Sequence, residues 1–175
     1  MDRLSFYKSF YETELRKRDD LDKSINNPVL IITIIFGTIS YISEKINFDC
    51  LLKIDILLLT LIITISTLLC KSIFHIILSY NNGIKGYSYE ILGTNTDFES
   101  YRKNLIEYNR NEDTHSDSEK EFEESIIVEL IKCSDINNEL NIKRTYQIFL
   151  TKKYLIISLI ITFLTFITHL LKQII

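Results

Sequence analysis

Hydrophobic positions in this chain fall in three blocks, and the charges lie between them. The longest block runs from Leu51 to Tyr80, with no charge from Ile56 to Cys70. A core helix of a soluble protein shows a polar face at helical period, and none of useful width is present here. A helix needs about 20 mostly apolar residues to cross a bilayer, which this block supplies if Lys71 reaches the headgroups. The same logic applies to Asn27 to Ser43 and to Tyr154 to Leu171. The pattern predicts spans at about 27–43 and 54–80, joined as a hairpin by a short loop from Glu44 to Asp55, and a third span over 154–172.

Before the first block, Leu4, Tyr7, Tyr11 and Leu15 recur at spacings of three and four, with Phe6 and Phe10 beside them. This predicts an amphipathic helix with an aromatic face. Arg16, Lys17 and Arg18 follow it, close to the first span. The face can lie on the inner leaflet or a neighbouring subunit, or pack on the protein's own helical domain. Pro28 is the only proline and suits the first turn of a new helix, bent from the one before. Gly83 and Gly86, in NNGIKG, predict a turn ending the second span. Thr96 and Glu99 fit a capping box for a helix over roughly 97–109. Residues 110–121 read as a polar, acidic linker, and 118–172 as one helix, with a break near Asn137–Asn141 or Arg144 left open.

The expected fold is all-α: an integral membrane protein with three transmembrane helices, an amphipathic helix over 1–26, a hairpin over 27–80, a small helical cytoplasmic region over 81–153 and a last span over 154–172. Orientation follows the distribution of Lys and Arg. Arg3, Lys8, Arg16, Lys17, Arg18 and Lys23 precede the first span, while only Lys45 and Lys53 lie in the short loop region and only Lys172 follows the third. The expectation is a multi-pass protein of the cell inner membrane, N-terminus cytoplasmic and C-terminus outside. Composition adds two exclusions. A net charge of −3 over 175 residues gives no basic field for nucleic acid. Cys50, Cys70 and Cys133 are widely spaced and form neither a CxxC pair nor a disulfide framework.

Each span carries a stripe of small or hydroxyl side chains: Thr33, Gly37 and Ser40; Thr60, Thr64 and Thr67 with Lys71; Ser158, Thr162 and Thr165 with Thr168 and His169 beyond. Such stripes serve as helix-packing surfaces or as the polar lining of a path exposed when subunits assemble. Asn137, Asn138, Asn141, Lys143 and Arg144, with Tyr87, Tyr89 and Tyr146, form a candidate ligand patch or a polar seam between subunits. His75 and His169 belong to opposite ends of the spans and His115 to the linker, so no shared metal site is expected. Lys53 and Asp55 sit where charges reach the interface by snorkelling. No GxSxG, Walker, HExxH or Cys–His pattern is present, so neither an enzyme nor a cofactor is expected.

The run FYETELRKRDDLDKSINNPVLI, the hairpin, GIKGYSYEIL and the INNELNIKR helix feeding a last span resemble small bacterial multi-span membrane effectors of anti-phage defence, of the CBASS and SLATT type. The resemblance implies a homo-oligomer that disrupts or permeabilises the membrane on infection, gated by a nucleotide second messenger or a defence-system partner protein. The alternative is a membrane-anchored sensor or interaction module that recruits a cytosolic partner.

Overall fold

A computed structural model describes residues 2–46, 53–80, 87–111 and 117–174. Among them the fold is all-helical: α1 (Arg3–Lys23), α2 (Asn26–Ser43), α3 (Lys53–Ser79), α4 (Asn95–Asn111) and α5 (Ser118–Ile174). Three helical stretches are long and apolar enough to cross a membrane: Arg3–Ser43, Lys53–Ser79 and Ser118–Gln173. The apolar runs thus predict α2 and α3 to within a residue at each end. α5 continues unbroken past Asn137, Asn141 and Arg144. The NNGIKG turn, Cys50 and His115 fall outside the described residues.

The chain divides into two compact units, one of residues Met1–Asp20 and Tyr87–Ile142, the other of Leu21–Gly86 and Lys143–Ile175. Helices α1 and α5 contribute to both.

The second unit contains the apolar runs. Its core joins Ile35, Ile39 and Ile42 of α2 to Leu58, Ile62, Ile65 and Leu69 of α3, with Leu155 of α5. Buried positions recur at alternating spacings of three and four. On α3 they are Asp55, Leu58, Ile62, Ile65, Leu69 and Ser72; on α5 they are Ile148, Thr151, Leu155, Ser158, Thr162, Thr165 and His169. A 3.5-residue repeat of buried positions is the pattern of helices packed along one continuous seam. Small side chains on the α5 seam allow close approach of the neighbouring helices. The opposite faces carry large exposed apolar residues, among them Ile34, Phe36, Ile63, Leu159 and Phe163.

In the first unit, Tyr11 of α1 packs on Leu130 and Cys133 of α5, and Leu4, Tyr7, Leu15, Leu92 and Ile126 close around them. The aromatic face of α1 is therefore partly taken up by the chain itself, while Phe6 and Phe10 stay 51% and 42% exposed. α4 pairs with the start of α5. Arg102 forms a two-pronged ion pair with Glu119, and Asn109 donates to Ser118 and Glu121 at 3.0 and 2.9 Å. The capping box of α4 lies two residues earlier than the pattern predicts. Thr94 Oγ1 accepts from the Asp97 amide at 3.2 Å, and Asp97 Oδ2 accepts from the Thr94 amide at 3.0 Å. Both Thr94–Asp97 and Thr96–Glu99 match the box, but Glu99 lies 3.7 Å from both Arg102 and Lys103. The acidic linker shortens for a similar reason: Asp117 accepts from the amides of Glu119 and Lys120, which starts α5 there.

Candidate functional site

Three groups of polar side chains interrupt the apolar architecture. The first is the set of stripes. Thr33, Gly37 and Ser40 of α2 are exposed, and a Cβ added at Gly37 would meet nothing within 4 Å. Thr60, Thr64, Thr67 and Lys71 of α3 are also exposed. Each of these threonines donates to the carbonyl four residues back, at 2.8–2.9 Å. The hydroxyl oxygen keeps acceptor capacity for a water or a neighbouring chain. Lys71 Nζ sits 5.8 Å from the centre of the Tyr154 ring. The α5 stripe faces the other way. Ser158, Thr162 and Thr165 are buried, and each donates within its own helix at 2.6–2.7 Å. Stripes alike in sequence therefore divide into one inward seam and two outward faces.

The second group lies in the first unit. The Asn141 side chain donates to Glu14, at 2.9 Å to its carbonyl oxygen and 3.0 Å to its carboxylate, and accepts from the Tyr89 hydroxyl at 2.7 Å. Asn137 donates to the Glu90 carbonyl and accepts from the Glu90 amide, both at 2.9 Å. A side-chain amide thereby satisfies both backbone groups of Glu90 in the non-helical segment 87–94. Glu14 is fully buried; Lys17, 2.6 Å away, balances its charge. Arg18 stacks its guanidinium 5.6 Å above the Tyr89 ring. Asn138 and Tyr87 are half-buried. Burial holds the Cys133 thiol above its ordinary value, with the nearby Glu129 adding to the effect.

The third group lies in the second unit. Arg144 is fully buried, donates through Nε to the Ser79 carbonyl at 2.8 Å and pairs with Asp22. It thereby caps the C-terminus of α3 and ties it to the end of α1. Lys143 and Tyr146 are exposed, and Tyr146 stacks on Phe149. His75 Nδ1 lies 2.8 Å from the Gln147 carboxamide oxygen, and its ring stacks on Tyr154. His169 instead faces Tyr41 edge-on and approaches Gln173, and its buried Nδ1 finds no partner among the described residues. Asp55, 1% exposed, pairs with Lys172. Among the described residues no three His, Cys, Asp or Glu side chains converge as metal ligands.

The sequence pattern singles out Asn137, Asn141 and Arg144 as polar residues of note but not Glu14 and Asp22, which pair with Asn141 and Arg144 within the chain. The signal available in the sequence is the spacing of Glu14, three residues after Tyr11 on its helical repeat. Compared with known proteins, the chain matches no family model, no curated protein and no solved structure.

Proposed function

We propose that this chain is a non-enzymatic membrane effector that assembles into a homo-oligomer and permeabilises the inner membrane when triggered, in anti-phage defence. The observation that carries the reading is the exposed α3 face: Thr60, Thr64, Thr67 and Lys71 stand outward on an otherwise apolar surface. In a lone protomer that face meets hydrocarbon, which leaves the remaining acceptor capacity of the threonine oxygens unmet. In an assembly it meets other copies or water, and hydroxyls keep a path wet where apolar constrictions dewet. The defence role rests on the resemblance of the chain to anti-phage membrane effectors. In this reading the N-terminus and the 81–153 region are cytoplasmic and receive a nucleotide or partner-protein signal.

Replacing Thr60, Thr64 and Thr67 together by valine keeps their shape and removes their hydroxyls. The variant is expected to insert and assemble normally but to lose toxicity and depolarisation, read with a membrane-potential dye. Full depolarisation by a correctly assembled triple variant eliminates the pore-lining role. A second reading, an anchored module that recruits a partner, is favoured by exposed Phe6 and Phe10, which with Ile131 border a cleft of about 220 Å³.

A further inference from the structure

In the second unit, a cleft of about 230 Å³ opens between the start of α2 and α5. Pro28, Ile31, Leu155, Ile156 and Leu159 form its walls, and among the described residues its polar lining is Asn27 and Lys152. Interiors of folded proteins are close-packed, and a cleft this apolar gains nothing from water. The volume is below the roughly 300–1,000 Å³ of sites for drug-sized molecules and suits part of one hydrocarbon chain.

The polar residues share one edge. Lys152 and Lys153 directly precede the uncharged run 154–171, and Asn27 directly precedes the uncharged run that starts at Pro28. An exposed ammonium therefore stands where the hydrocarbon walls end. We infer that this cleft holds an acyl chain of an anionic phospholipid, with the lipid phosphate on Lys152. The inference rests on the membrane reading. Charge complementarity selects the lipid: a zwitterionic headgroup offers the ammonium no net charge, whereas basic residues at a membrane surface attract anionic lipids by about 1 kcal/mol each, roughly fivefold in binding.

The chain contains no tryptophan, so Ile160→Trp, an exposed position one helical turn beyond the cleft wall at Ile156, gives a single optical reporter. The full chain is first floated with phosphatidylcholine vesicles; failure to float overturns the membrane reading itself, and with it the site. In the reconstituted protein, brominated phosphatidylglycerol is expected to quench the reporter with about fivefold higher apparent affinity than brominated phosphatidylcholine. Adding Lys152→Gln removes that preference, and adding Lys153→Gln, which lies off the cleft, preserves it. Both are exposed positions, so helical circular dichroism is expected to be unchanged. Equal quenching by the two lipids, an equal loss with Lys153→Gln, or quenching by neither because a second copy fills the cleft overturns the proposal. So does displacement by millimolar glycerol phosphate, which would make the ligand a soluble phosphate.

Discussion

Arg144 and Asn141 show how single buried polar residues hold helices that hydrophobic contact alone leaves free to slide. Removing Arg144 exposes two debts at once: an uncapped Ser79 carbonyl and an Asp22 without its guanidinium. Arg144→Ala is expected to destabilise the protein by about 2–4 kcal/mol, read as a lower Tm in detergent. Arg144→Lys should recover only part of this, because one ammonium cannot reproduce a planar fork. At Asn141 the ordering of two variants is the test. Asn141→Asp places a second carboxylate beside buried Glu14 and should lower Tm more than Asn141→Ala. A smaller loss from the aspartate would mean that Glu14 does not depend on the Asn141 amide. These residues were visible in the sequence as an unusual cluster near an apolar run. Their partners were not, because a hydrogen bond across 127 positions leaves no local pattern.

At the scale of elements, α4 offers a test of cap register. Thr94→Ala should cost about 1 kcal/mol of helix stability and Thr96→Ala close to nothing, as read by amide exchange through α4. The pairing of α4 with the start of α5 also carries a pH dependence. The Thr94 hydroxyl and amide hold the Asp97 carboxyl below its ordinary value, and Arg102 does the same for Glu119. A carboxylate lowered in the folded state stabilises above its unfolded pKa, about 4, and that gain is lost as pH falls through the folded value. Protection of α4 and the start of α5 should therefore be flat from pH 7 to 5 and decline below pH 4. Helix existence was legible because long apolar runs and three-four spacing are strong local signals. The cap was ambiguous because two Thr-x-x-acid boxes overlap, and ion pairs with Arg102 and Lys103 settle which acid is free.

For the whole molecule, Gly37→Leu separates folding from assembly. With open space beyond its Cα in the protomer, a leucine should leave the helical circular dichroism intact. It should weaken oligomers measured by cross-linking if α2 packs against another copy. A protein that stays monomeric at every concentration argues against the assembly reading. Topology has its own test: a reporter after Lys120 should be cytoplasmic and one after Ile175 external, as the Lys and Arg bias implies. The stripes could not be assigned to inside or outside from composition, since both faces of a span are apolar. The distinguishing signal was present in the heptad. Ser158, Thr162 and Thr165 continue a repeat that includes Thr151 and His169, whereas Thr60, Thr64 and Thr67 lie beside the buried repeat of α3.

The pairing of Asp55 with Lys172 has a consequence in time. Ribosomes add roughly 5–20 residues per second, so a partner 117 positions later emerges on the order of 6 to 23 s after Asp55. During that interval the hairpin must hold its acid without the lysine that finally meets it. Chains released before α5 is made should therefore be the preferred substrates of membrane quality-control proteases, and pulse-labelled hairpin fragments should outlive the normal truncation product when Asp55 is replaced by leucine.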